Sequence, residues 1–177
     1  MSAAGRLDAA INWGLRHWLS LTTGLLLLYS GLPLAAPLAK CAGIPLVGEL
    51  ITLVYSRMCH QKPERSFFIC GHQMAFCHRC TALYGGMALF GLLFGMMRST
   101  ARPVSWRIAG LLLLPILLDG VSHMIGDLVP GFRGGPDDIG SLNFVLRMTT
   151  GLLAAAVLVF AIFPRVEAEM PAMIGSI

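Results

Sequence analysis

Between Trp18 and Ala39 the chain runs for 22 residues without one charged side chain. A helix of that length measures about 33 Å, enough to cross a hydrocarbon core of roughly 30 Å. Lipid offers no partner to a peptide N–H or C=O, so a segment that crosses it must be helical or part of a closed barrel. The same reading locates three more spans. Thr81 to Met97 is uncharged, which places a second span at about 77–97. A third runs at about 104–126 and a fourth at about 141–163, where Pro164 and Arg165 are expected to stop it. Charged residues make up 12% of the chain, about half the share in a soluble domain, and mean hydropathy is +0.73. The expected fold is therefore all-α. It is an integral membrane bundle of about four transmembrane helices, a single membrane domain over residues 18–164.

The segments between and around the spans read differently. Residues 1–17 carry Leu7, Ile11, Leu15 and Trp18 at helical spacing, which predicts an interfacial N-terminal helix with Trp13 and Trp18 at headgroup level. Leu38-Ala39-Lys40-Cys41 resembles a lipoprotein cleavage site, but Lys40 stands where a small residue is needed, so the first span is expected to be retained. Residues 45–58 suit a short re-entrant or interfacial helix that delivers Cys59, and 59–76 a polar, irregular segment. Residues 127–140 form a Pro/Gly/Asp loop, and 165–177 a disordered tail. Gly91 and Gly95 form a GxxxG pair that permits close helix contact.

Net charge is +4, yet the 13 basic residues are scattered singly, which excludes a nucleic-acid surface and fits the flanks of membrane spans. Four spans put both termini on one side. That side carries Arg6, Arg16, Arg98, Arg102, Arg107 and Arg165. The other carries Lys40, Arg57, Lys62, Arg65, Arg79, Arg133 and Arg147, of which Arg65, Arg79 and Arg147 are candidate site residues. Discounting those three, and weighting the short Arg98–Arg107 loop, the charge bias favours cytoplasmic termini in a bacterial inner (plasma) membrane.

Chemistry concentrates between Cys59 and Tyr84. Three of the five cysteines (Cys59, Cys77, Cys80) fall within 22 residues there, interleaved with His60, Arg65, His72, His78 and Arg79. Cys77 and Cys80 are i and i+3 at a helix start, with Tyr84 at i+7 on the same face. The helix dipole and neighbouring cations favour their thiolates. One chemistry that follows is metal ligation. Cys59, Cys77 and Cys80 are soft ligands suited to zinc, with His60 as the candidate fourth and His72 or His78 as alternatives. The other is thiol–disulfide exchange, with Cys59 or Cys41 as the resolving partner. An odd cysteine count argues against a simple disulfide framework.

The spans hold a second constellation. Asp119, His123 and Asp127 share one face of the third helix; Asn143, Arg147 and Thr150 share one face of the fourth. Asp119 and Arg147 lie at similar depths, roughly 12 and 10 Å from their helix ends. A charge in hydrocarbon costs about 2.5–3.5 kcal/mol even on translocon scales, so the two are expected to pair below the Cys/His segment. Asp119, Arg147, Arg65 and Tyr84 are the candidate catalytic residues.

The run Cys59-His60-Gln61, Pro63, Arg65-Ser66-Phe67, Gly71, Gln73, Cys77, Arg79-Cys80, Tyr84-Gly85 resembles that of the domain of unknown function 2085 family. Asp119-Gly120, Ser141, Asn143, Arg147 and Thr150-Gly151 extend the resemblance to most of the chain. Ala82 stands where the family is expected to have glycine. The resemblance implies a membrane location and a shared site, and no particular reaction.

Three functions fit. One is a zinc-binding membrane protein acting on a lipid-phase substrate. The second is a thiol–disulfide oxidoreductase coupled to a quinone. The third is a non-catalytic subunit or assembly factor of a larger membrane complex.

Overall fold

The computed structural model describes residues 3–129, 132 and 135–175. Arg133 and the last two residues, Ser176 and Ile177, lie outside them. The described chain forms helix α1 (Ala3–Arg16), the first span α2 (Trp18–Cys41), short helix α3 (Pro45–Tyr55), and a hairpin of β1 (Ser66–Ile69) and β2 (His72–Cys77). The second span α4 (His78–Met96), third span α5 (Trp106–Leu128) and C-terminal helix α6 (Leu142–Gly175) follow. Four of these helices are long and apolar enough to cross a membrane, and at most 44% of any one's most apolar stretch is buried by the protein itself. Leu111, Leu117 and Leu118 on α5 are all more than half exposed, so the outer surface is apolar and suited to lipid. The expected four-span bundle is the fold.

Helix α2 packs against α3, α4 and β2, whereas α6 packs against α4 and α5. Leu19, Phe94, Val159 and Phe163 form the core where α2, α4 and α6 meet, and Ala109, Val157 and Ala161 join α5 to α6. Helices α4 and α6 cross closely. A methyl added at Gly151 would lie 2.8 Å from the Ala82 methyl and 2.9 Å from the Arg79 carbonyl, and one at Gly86 would lie 2.8 Å from the Ala155 methyl. Of the GxxxG pair, Gly91 is tight against Thr23 of α2 at 3.0 Å, but Gly95 has ordinary room. A π-helical turn over Thr81–Gly85 interrupts α4 just below the cysteines.

Two sequence expectations are overturned. Residues 66–77 are a hairpin rather than irregular chain. Its two-residue turn places Cys70 (φ 50°) and Gly71 (φ 76°) both in the left-handed region, as a type I′ turn requires. Cys70 is tied to Cys41, at the end of α2, by a disulfide with Cα atoms 6.1 Å apart. Cys41 is therefore a structural partner of Cys70, not a resolving thiol for the remaining three.

The tail is helical to Gly175 rather than disordered, because α6 runs through Pro164. Proline cannot donate to the carbonyl four residues earlier, that of Phe160. The Val104 N–H, from the linker before α5, donates to it instead at 3.1 Å. Beyond the proline, Glu167 accepts from the Trp18 indole at 3.0 Å and pairs with Arg98 at 2.7 Å, and Arg165 stacks on Trp106. Trp18 is thus half-buried against Phe94 and Phe163 rather than simply facing headgroups.

Candidate functional site

The hairpin sits over the end of the bundle where α2 ends and α4 begins. Its inner strand is buried from Met74 to Cys77 and packs with Ala36, Tyr55 and Cys59. Two glutamines lock the incoming loop onto it. Gln61, at φ 48°, donates to the carbonyls of Thr52 and Ala75 at 2.9 and 3.0 Å. Gln73 donates to the Gln61 carbonyl and to the Ser66 hydroxyl. These bonds fix Cys59 beside the point where β2 turns into α4.

The sulfurs of Cys59, Cys77 and Cys80 consequently lie within 4.8 Å of one another, and the group could hold a metal ion. Cys77 caps α4 with extended backbone, and its amide donates to the Cys59 sulfur at 3.2 Å. Hydrogen bonds from the Cys77 and Cys80 thiols, with that amide, hold the Cys59 thiol far below its ordinary range despite burial. The same bonding to Cys59 pushes the Cys77 thiol up. Among the described residues no fourth His, Cys, Asp or Glu joins the three sulfurs.

The proposed fourth ligands are elsewhere. His60 follows Cys59 in the chain, but its ring lines an adjoining cavity, where burial lowers its pKa. His78 is buried between Phe67 and Phe144, with ring centroids 4.5 and 4.8 Å away. His72 lies at the hairpin turn. Tyr84 stacks on Phe76 and meets Tyr29 edge-on, forming an aromatic wall beside the sulfurs rather than a face of the polar cavity.

Arginines and carboxylates extend away from the sulfurs as one network. Asp119 pairs with Arg79 of α4 and not with Arg147. Arg147 pairs instead with Asp137, which the loop after α5 brings over the bundle. His123 stands between the two pairs. Its Nδ1 lies 2.9 Å from the Asp119 carbonyl and its Nε2 faces Arg147, an arrangement satisfied by the neutral tautomer protonated at Nδ1. Arg65 grips Asp127 with both terminal nitrogens, at 2.9 and 3.2 Å, and gives its Nε to Asp137 at 2.7 Å. Lys62 closes the outer end on Asp127 at 2.7 Å. Burial works to raise the Asp137 pKa, but hydrogen bonds from Arg65 and Arg147 outweigh it and hold this carboxyl below the usual range.

Asp119, Arg147 and Arg65 are therefore brought into one network, with Asp119 and Arg147 joined through His123 instead of directly. Asp137 and the Arg79–Asp119 pair are additions that the sequence did not reveal. Asp137 sits in a loop with no periodicity to give it a direction, and Arg79 was read only as a neighbour of the thiols.

Fold and site together define a polytopic membrane protein with a three-thiol centre and a buried arginine–aspartate network at one end of its bundle. The family model described as a predicted membrane protein (DUF2085) matches residues 59–161, from the first of these thiols into the middle of α6, and the chain belongs to that family. It is 35% identical over 114 residues to an uncharacterised protein of Methanocaldococcus jannaschii, covering 63% of this chain and 65% of that one. A second uncharacterised protein, from Methanothermobacter thermautotrophicus, is 30% identical over 105 residues, or 59% of this chain and 84% of the relative. The chain thus spans just under two thirds of the M. jannaschii protein. No solved structure matches it.

Proposed function

We propose that this is a membrane metalloprotein whose centre is a zinc ion held by Cys59, Cys77 and Cys80. The observation that carries the reading is the convergence of three sulfurs within 4.8 Å from two separate stretches of chain. Tetrahedral zinc with thiolates at about 2.3 Å sets its sulfurs roughly 3.8 Å apart, so only small side-chain adjustments are needed. The amide donor to Cys59 and its lowered pKa favour the deprotonated sulfur that a metal requires.

Three protein ligands leave one coordination position for water or substrate, the mark of catalytic rather than purely structural zinc. Such an ion supplies Lewis acidity. Arg65, Arg79 and Arg147 line the cavity that also contains Cys77, so they are placed to bind and orient a substrate there. Asp119 holds Arg79, and His123 can accept or give a proton within the same network. The site lies at one end of an apolar bundle, which favours a lipid-phase substrate.

The Cys41–Cys70 disulfide lies at this same end of the bundle. Disulfides persist in oxidising compartments, so the hairpin face is assigned to the outer side of a plasma membrane and the termini to the cytoplasm.

Elemental analysis of detergent-purified protein tests the reading. About one zinc per chain is expected, lost in Cys77→Ser and Cys80→Ser together with thermal stability. Metal-free protein whose melting is insensitive to chelator would refute it. If Cys77 and Cys80 instead cycle between free and disulfide forms on adding quinone, thiol–disulfide exchange replaces it.

A further inference from the structure

The cavity beside the thiols has a wall of unusual charge. The cavity is small, about 10 Å3, and is lined by Arg65, Arg79 and Arg147 with His60, His123 and Cys77. None of the three network carboxylates lines it. A second space of about 40 Å3 shares Arg65 and His123 with it and is lined also by Asp137. Among the described residues, the ion pairs of this network join four cations (Lys62, Arg65, Arg79, Arg147) to three carboxylates (Asp119, Asp127, Asp137), an excess of one positive charge.

Two donors on this wall are unpaired among the described residues. Arg147 is 2% exposed, and its Nη1 has no hydrogen-bond partner although its Nη2 is fully engaged. Arg79 Nε is likewise buried without a partner. A charged donor left unsatisfied in a buried site costs more than the roughly 1–3 kcal/mol of a neutral one. Both donors belong to residues that line this one cavity, where a bound acceptor would satisfy them.

We propose that this cavity binds a phosphoryl-type oxyanion, gripped by Arg147 Nη1 and Arg79 Nε with Arg65 beside them. Guanidinium groups match the geometry of such oxygens through paired N–H donors. Arg65, whose nitrogens are held by Asp127 and Asp137, adds charge to this wall, and a wall of three guanidiniums favours a phosphoryl group, which can carry two negative charges, over a singly charged carboxylate. The anion can come from free phosphate or from the headgroup of a phospholipid, since the site opens at one end of a membrane bundle. The site is built from guanidinium donors and needs no metal, so it goes beyond the zinc reading and stands or falls separately.

The test uses the full chain purified in detergent and follows its thermal melting with inorganic phosphate, and separately with phosphatidate in mixed micelles. A saturable upward shift with inorganic phosphate identifies a free-anion site. A shift with phosphatidate and none with inorganic phosphate identifies a headgroup site. Either shift should weaken about tenfold in apparent affinity in Arg147→Lys and in Arg65→Lys, which keep the charge and lose the fork. Melting of each variant without ligand shows whether it has folded. Arg65, on the less buried edge of the network, keeps the test valid if Arg147→Lys does not fold. Chelator-treated protein should bind as well as untreated protein. The proposal is overturned if neither probe shifts the wild type, if both lysine variants bind undiminished, or if binding vanishes with the metal. Zinc retained without anion binding would sink this inference and leave the metal centre intact.

Discussion

Asp137→Asn is expected to be among the most damaging single changes outside the thiols. Asp137 is 14% exposed and is the carboxylate partner of Arg147, itself 2% exposed, while also accepting from Arg65 Nε. Removing its charge leaves the Arg147 guanidinium buried with neutral His123 as its side-chain partner among the described residues. Breaking a buried pair on one side costs about 3–5 kcal/mol, and the residual exposure of Asp137 argues for the lower end, about 3 kcal/mol. Asp127 provides the internal comparison. It accepts the same number of cations, Lys62 and Arg65, but is 32% exposed and Lys62 is 34% exposed. Solvent screens such pairs, so Asp127→Asn should cost about 1 kcal/mol or less. For a chain of this size 1 kcal/mol corresponds to roughly 2–4 °C in melting temperature. The expected shifts are about 6–12 °C for Asp137→Asn and under about 4 °C for Asp127→Asn. Parallel thermal melts in one detergent at one scan rate measure both. Equal losses, or a larger loss for Asp127→Asn, would refute the view that burial rather than pairing sets the energetics of the network.

Three further outcomes are expected. The Asp137 carboxyl is held below its unfolded value, so its contribution to stability is fully present above about pH 4 and disappears as pH falls through the lower folded value. Melting temperature between pH 5 and 3 should fall less steeply in Asp137→Asn than in wild type, and equal slopes would count against the assignment. Cys70→Ser opens a loop closed across 29 residues, for a loss of about 3–4 kcal/mol in the chain-entropy account. Cys41→Ser should cost the same and the double variant no more, as read by melting with and without reductant. Gly151→Ala drives a methyl into Ala82 and the Arg79 carbonyl and should cost about 1–3 kcal/mol by melting, whereas Gly95→Ala should be nearly silent.

The spans were legible in the sequence because lipid imposes a local rule: an uncharged run of sufficient length has few other fates. Grouping Cys59 with Cys77 and Cys80 was legible from residue type and spacing. What was not legible depended on contacts distant in sequence. Strand β2 is buried at four successive positions, so it lacks the alternation that marks a half-exposed strand, and its turn is Cys-Gly rather than Asn-Gly. Helical spacing placed Asp119 and Arg147 at matching depth but could not rank partners. Arg79 and Asp137 reach them first, from the start of α4 and from a loop. Pro164 was read as a stop because the donor that rescues its helix, Val104, belongs to another segment.

That rescue makes the linker between the second and third spans more than a tether. The Val104 amide substitutes for a rung that Pro164 removes from the helical ladder of α6, so the position of Val104 along the bundle is fixed by a helix it does not belong to. Extra residues should be accommodated at Ser99–Thr100, upstream of this anchor. An insertion between Val104 and Trp106 would instead force a choice between the start of α5 and the carbonyl of Phe160, which in an apolar surrounding has no water to turn to.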